Sequence, residues 1–169
     1  MLNRNCFRPA AANVCVNRRD RRRGFASLSE PDPSTIMKNA AILVVDGNTS
    51  ERASRVESLR NAGYGAIGAD TFEAARRQLH TQWYDLLITD LRLAAYNGLH
   101  LVFHSRVLNP AATAIVLSPV PDVSLESETR RLGAHFVAGP LESKRMLAIV
   151  EMVLESARQQ PASPSETSA

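Results

Sequence analysis

Two aspartates and a serine stand at positions in this chain where side chains could do chemistry. A short run of apolar residues directly precedes Asp46 and Ser118, and another precedes Asp90 with only Thr89 between them. Their oxygen atoms are hard ligands of the kind that Mg²⁺ prefers, and a carboxylate can also act as a nucleophile. We take Asp90 as the first candidate for an active residue. The simpler interpretation of Asp90 is a loop acid that caps a helix or faces solvent.

Five apolar segments alternate with five amphipathic ones, which predicts a parallel sheet with helices on both faces and right-handed crossovers. The predicted strands are residues 41–45, 64–69, 85–90, 114–117 and 136–138. The first predicted helix follows an Asn48 cap, with Glu51 completing a capping box, and the second is capped by Asp70 or Thr71 and carries Phe72, Ala75 and Leu79. The other three cover residues 99–108, 124–132 and 142–158. Carboxyl ends of parallel strands share one edge, so the three candidate side chains should converge there.

The composition is that of a globular protein, with 44% hydrophobic and 22% charged residues among 169. The longest apolar run, residues 40–45, is too short to span a membrane. Residues 1–39 hold eight Lys or Arg and three acids, so the remainder of the chain, residues 40–169, is mildly acidic. A nucleic-acid-binding face is therefore not expected on the folded part. Cys6 and Cys15 lie outside any predicted core, which indicates neither a disulfide framework nor a metal site and fits a cytoplasmic protein.

The predicted domain covers residues 37–158, between a basic leader at 1–36 and a polar tail at 159–169, both expected to be disordered. The leader could instead be an arm that binds nucleic acid or anionic lipid, or a transit peptide. It could also be untranslated, because Met37 directly precedes the first strand.

From about residue 40 to residue 157 the chain resembles the receiver domain of bacterial two-component response regulators. The likeness lies in Ile-Leu-Val-Val-Asp at 42–46, Asp-Leu-Leu-Ile-Thr-Asp-Leu at 85–91, Asn-Gly-Leu at 97–99, Val-Leu-Ser at 116–118, and Gly133-Ala134, Phe136 and Pro140. The resemblance implies a flavodoxin-like (β/α)5 fold. It also implies transfer of a phosphoryl group from a kinase phosphohistidine to Asp90.

The resemblance further assigns Mg²⁺ ligands to Asp46, to Asp90 and to the main-chain carbonyl of Arg92. Receivers carry a second acid after the first strand, where this chain has Gly47, so the implied metal site is weakened. Receivers also place a lysine before the proline, where this chain has Gly139. A cation about 4 Å from a phosphoryl group contributes on the order of 4 kcal/mol at an effective dielectric constant of about 20. Phosphorylation should therefore be slow.

Other residues could compensate in part. Arg92, Lys144 or Arg145 are candidates for replacing the missing lysine. By the resemblance, Ser118 supplies the hydroxyl that senses the phosphoryl group and Phe136 is the switch aromatic, although the two could equally be a turn residue and a core residue. His100 and His104 have a metal-compatible spacing, but no third ligand is evident and a solvated helix face is the preferred interpretation.

We therefore expect an atypical stand-alone receiver rather than an enzyme, because no nucleophile elbow, P-loop or dinucleotide fingerprint is found. Its expected partners are a histidine kinase or phosphotransfer protein and a downstream protein. With no output module after Arg158, output should use the face formed by the fourth helix, fifth strand and fifth helix, which could also form a homodimer. The alternatives are a pseudo-receiver that binds proteins without phosphorylation and a flavodoxin-like binder of a small ligand.

Overall fold

The computed structural model describes residues 40–159, which form one parallel five-stranded sheet flanked by five helices. The strands are β1 (Ala41–Val45), β2 (Gly65–Ala69), β3 (Leu86–Asp90), β4 (Thr113–Ser118) and β5 (His135–Ala138). Their order across the sheet is β2-β1-β3-β4-β5, so β3 lies at the centre. This arrangement confirms the predicted flavodoxin-like (β/α)5 fold. The predicted leader, and the tail beyond Gln159, lie outside the described residues.

The helices pack on both faces of the sheet because the central strands are apolar on both sides. They are α1 (Thr49–Asn61), α2 (Phe72–Thr81), α3 (Gly98–Leu108), α4 (Val123–Arg131) and α5 (Ser143–Gln159). Ile42, Val44 and Ile88 face α1 and α5, whereas Leu43 and Leu87 face α2 and α3. The strand β3 is therefore held from every side, with its carboxyl end at the edge that carries the candidate residues.

Local sequence signals set most helix ends where they were predicted. The side chain of Asn48 caps α1 by accepting hydrogen bonds from the main-chain nitrogens of Ser50 and Glu51. The predicted capping box does not form, because the Glu51 carboxylate pairs with Arg55 instead. Gly63 ends the same helix with a positive φ of 95°.

The segment after β3 differs from the sequence prediction. The pair Asn97-Gly98 is of a type that favours a turn, but Asn97 is the N-cap of α3 and Gly98 is the first residue of that helix. The chain reverses instead at Ala94 and Ala95, between the two-residue strands Arg92–Leu93 and Tyr96–Asn97. Asn-Gly is a frequent turn pair, but the asparagine side chain serves equally well as a helix cap, and the packing of α3 decides between the two roles.

Candidate functional site

The register of the sheet brings the strand-end candidates together. Val45 lies opposite Thr89, so Asp46 and Asp90 follow side by side at the carboxyl edge. Asp90 itself lies opposite Leu117, which places Ser118 on the next strand. All three side chains line one cleft of about 380 Å³.

The main chain directly after Asp90 is held on two sides by hydrogen bonds of Leu91. The Leu91 nitrogen donates to the Leu117 carbonyl at 2.8 Å, and the Gly98 nitrogen donates to the Leu91 carbonyl at 2.8 Å. Gly98 packs directly on the end of β3, where a Cβ atom would overlap the carbonyl oxygen of Asp90. A glycine at the start of α3 is therefore what allows the helix to approach the candidate acid so closely.

The Asp90 carboxylate is half-buried, and burial raises its pKa above the usual range for aspartate. A hydrogen bond from the Leu91 nitrogen to Oδ1, at 3.1 Å, opposes this shift. The charges of Arg55 and Arg92 also lower the pKa, whereas Glu51 raises it. Because desolvation prevails, the cleft stabilises the ionised form of Asp90 only incompletely.

Asp46 is almost fully buried at 4% exposure, and each of its oxygen atoms already has a partner. Oδ1 accepts a hydrogen bond from the Asn48 nitrogen at 2.7 Å, and Oδ2 forms an ion pair with Arg55 Nη1. The main-chain carbonyl of Asp46 accepts from Arg52 Nη1 at 2.6 Å. A buried charge with a complete set of partners is the arrangement that avoids a large desolvation penalty.

Arg55, on α1, is the cleft residue that sequence reasoning missed. Its side chain is 15% exposed, and its Nη2 contacts Glu51 Oε2 at 3.1 Å while Nη1 pairs with Asp46. It is the only cation that lines the cleft among residues 40–159. Burial lowers its pKa and the charge of Asp90 raises it, but an arginine stays protonated. The sequence carried only a weak clue, since Glu51 and Arg55 have the spacing of an ordinary surface ion pair.

Ser118 ends β4, and Phe136 lies on the neighbouring strand β5. Ser118 is buried, and its hydroxyl donates to the Val120 carbonyl at 2.8 Å. Phe136 lies opposite Val116 and is partly buried against the core on the α2 and α3 side. The serine therefore shares the cleft with Asp90, whereas the aromatic ring does not line it.

Comparison with known families agrees with this geometry. Residues 42–151, more than half of the chain, match the family described as Response regulator receiver domain. The chain belongs to this receiver family.

The transcriptional regulatory protein ZraR of Escherichia coli K12 is 29% identical over 117 residues, which are 69% of this chain and 26% of that protein. A response regulator receiver protein of Anaeromyxobacter sp. is 29% identical over 106 residues, 62% of this chain and 44% of that protein. The chain therefore spans about a quarter of the length of the ZraR proteins and less than half of the second relative.

Solved receiver structures share the fold. The CheY-like receiver domain protein of Methanospirillum hungatei superposes with a TM-score of 0.68 at 19% identity, covering 73% of this chain and 99% of that one. The beryllofluoride-activated NtrC4 receiver domain dimer superposes with a TM-score of 0.65 at 21% identity, covering 69% of this chain and 98% of that one.

Within residues 40–159, none of the helices combines the length and the apolar character that a membrane span requires.

The two glycines that depart from the receiver pattern differ in their surroundings. Gly47 has no positive φ, and nothing lies within 4 Å of where its Cβ would be, so an acid would fit there. Gly139 also faces open space but has a φ of 84°, which disfavours any side chain. The missing lysine could therefore return only with backbone strain.

The cations proposed as substitutes for that lysine lie outside the cleft. Lys144 and Arg145 are exposed on α5, and neither lines the cleft. Arg92 is exposed on its short strand, although its charge does lower the pKa of Asp90. The cation in the cleft comes from the first helix instead.

Receiver domains generally bind Mg²⁺ in this pocket, but the residues of this receiver do not fit the ion. Gly47 supplies no oxygen, and both carboxylate oxygens of Asp46 are engaged by Asn48 and Arg55. Among the described residues, no group of three or more His, Cys, Asp or Glu side chains could hold a metal. The pair His100 and His104 forms no such group, and the His104 ring lies edge-on to the Phe72 ring, with 6.3 Å between the ring centroids.

Proposed function

We propose that this receiver accepts a phosphoryl group on Asp90 within a histidine-to-aspartate relay and passes the signal on through protein contacts. The observation that carries the proposal is the cleft itself, in which Asp90 lies with one cation, Arg55, and one hydroxyl, Ser118. Receiver domains interact with histidine kinases or phosphotransfer proteins, and such a protein would be the donor. We also propose a cytoplasmic location, since neither cysteine of the chain falls within the receiver.

In the proposed reaction, an Asp90 carboxylate oxygen attacks the phosphorus of a phosphohistidine. An O–P bond forms as the N–P bond breaks, and the imidazole leaves with the electron pair of the broken bond. Negative charge spreads over the phosphoryl oxygens, and positioning together with charge neutralisation supplies most of the rate. Arg55 would neutralise part of this charge, while Asp46, Glu51 and the nearby Glu142 work against it.

The proposed output surface is the face of α4, β5 and α5. Val123, at the start of α4, is 79% exposed, which is unusual for a large apolar side chain. Phe136 on β5 is partly buried against the core. Ser118 lies opposite Ala138, two residues after Phe136, so a change at Ser118 would reach the ring along β5. The downstream protein, or a second copy in a homodimer, would bind here.

A second candidate function is a binding module that works without phosphorylation. It is favoured by the neutralised Asp46, by the absent acid at Gly47 and by the positive φ of Gly139, which disfavours a lysine there. In this case the receiver would hold one conformation and present the same face constitutively.

The test is phosphorylation of the full chain by acetyl phosphate or by a phosphohistidine donor, read by intact-protein mass spectrometry. Asp90→Asn is compared with Asp85→Asn, which changes an exposed acid directly before the same strand. A base-labile phosphoryl group on the wild type and on Asp85→Asn, but not on Asp90→Asn, would support the relay function. Absence of label from both donors would overturn it and leave the binding module.

A further inference from the structure

The pocket carries its own cation. Arg55 Nη1 pairs with the buried Asp46, and the guanidinium also lines the cleft beside Asp90. In a pocket that takes a divalent cation, the strand-end carboxylates must present free oxygen atoms to it. Asp46 presents none, since its second oxygen accepts a hydrogen bond from the Asn48 nitrogen.

The position of Arg55 is determined by several contacts rather than by one. Glu51, one turn earlier on α1, holds Nη2 at 3.1 Å. Arg55 Nε is buried without a hydrogen-bond partner in the described residues, so the side chain enters the pocket at a cost. Its attraction to Asp46 and Asp90 is what offsets that cost. The charges of Arg55 and Asp90 also shift each other's pKa.

We propose that Arg55 replaces the divalent cation of this receiver, so that the pocket excludes Mg²⁺ through a guanidinium already bound to Asp46. The inference concerns the same cleft as the proposed function and holds whether or not Asp90 accepts a phosphoryl group. It also explains why the lack of an acid at position 47 is compatible with a folded pocket, since Asp46, the one acid directly after β1, is already neutralised.

The experiment measures binding of Mn²⁺, a probe with the same oxygen preference as Mg²⁺, by electron paramagnetic resonance on the full chain. Four proteins are compared: the wild type, Arg55→Gln, Gly47→Asp and the double variant. The wild type should bind no Mn²⁺ at millimolar concentration. The double variant should bind it at least about tenfold more tightly than Gly47→Asp alone, because a unit positive charge no longer repels the ion.

Two controls separate charge from folding. Arg55→Lys in the Gly47→Asp background keeps the cation and should bind Mn²⁺ no more tightly than Gly47→Asp alone. Arg52→Gln removes a neighbouring arginine that contacts the main-chain carbonyl of Asp46, and it should leave the absence of binding unchanged. Circular dichroism establishes that each variant is folded.

Three results would overturn the proposal. They are Mn²⁺ binding by the wild type, equal affinity of Gly47→Asp and the double variant, and absence of binding by a folded double variant. Mn²⁺ binding requires no phosphotransfer. Each of these three results can therefore be distinguished from a failure of Asp90 to accept a phosphoryl group.

Discussion

Substitution of Gly98 by alanine tests how closely α3 approaches the candidate acid. The added Cβ would overlap the carbonyl oxygen of Asp90 and lie 2.9 Å from Thr89 Oγ1. Ordinary contacts between carbon atoms lie at about 3.5–4.0 Å, so either α3 or the end of β3 must move. The obstructing atom belongs to the main chain of the central strand, which cannot rotate away as a side chain would.

We expect Gly98→Ala to lower the free energy of unfolding by about 1–3 kcal/mol, the usual cost of overfilling a packed site. Gly98 has no positive φ, so alanine brings no conformational strain there, and the loss would come from the collision alone. The measurement is urea denaturation of the full chain followed by far-ultraviolet circular dichroism, with an unchanged m-value as evidence that the unfolding transition is the same.

Two other glycines of the same cleft region provide matched controls. Gly47→Ala meets open space at ordinary backbone angles and should change stability by no more than about 1 kcal/mol, in the stabilising direction if at all. Gly139→Ala meets open space at a φ of 84° and should cost roughly 1–2 kcal/mol through strain alone. A Gly98→Ala protein as stable as Gly47→Ala would refute the close approach of α3 to Asp90.

Three further predictions concern the acid, a helix cap and the core. Burial raises the pKa of Asp90, so the native state binds that proton more tightly than the unfolded chain and loses stability as pH rises from about 3.9 through the raised native value. Asp90→Asn should therefore be more stable than the wild type at neutral pH, with a gain that disappears below this window, as measured by denaturation at several pH values. Asn48→Ala removes the cap of α1 and should cost about 1 kcal/mol in the same assay. Ile88→Val shortens a fully buried side chain of β3 and should cost about 0.5–1.5 kcal/mol by thermal or urea unfolding.

Each of these predictions has an outcome that contradicts it. A stability difference for Asp90→Asn that does not vary with pH would mean that desolvation does not control this carboxyl group. Equal stability of Asn48→Ala and the wild type would place the start of α1 elsewhere. An Ile88→Val protein as stable as the wild type would indicate a core that repacks around the missing methyl group.

The strands were predictable because their signal is local. The central strands are runs of branched apolar residues, which only burial on both faces explains. The observed β1 is Ala41–Val45, as predicted, and the observed β3 is Leu86–Asp90, one residue shorter than predicted. Once the strands alternate with helices, the convergence of Asp46, Asp90 and Ser118 follows from the geometry of parallel sheets.

The segment after β3 was not predictable in the same way. Asn97 and Gly98 satisfy the requirements of a tight turn and of a helix start equally well. The helix start prevails because Gly98 packs against the Asp90 carbonyl and its nitrogen donates to the Leu91 carbonyl. These contacts form only when β3 and α3 are both in place.

The sequence alone determined the order of elements, the edge of the sheet where chemistry could occur and the absence of the acid at Gly47 and of the lysine at Gly139. Only the tertiary structure decided which cation enters the cleft. Arg92, Lys144 and Arg145 were reasonable candidates by position along the chain, yet Arg55 lines the cleft. The physical reason is that α1 packs against β1 and so lies next to the buried carboxylate of Asp46. The long side chain of Arg55 on that helix can therefore reach Asp46 and enter the cleft.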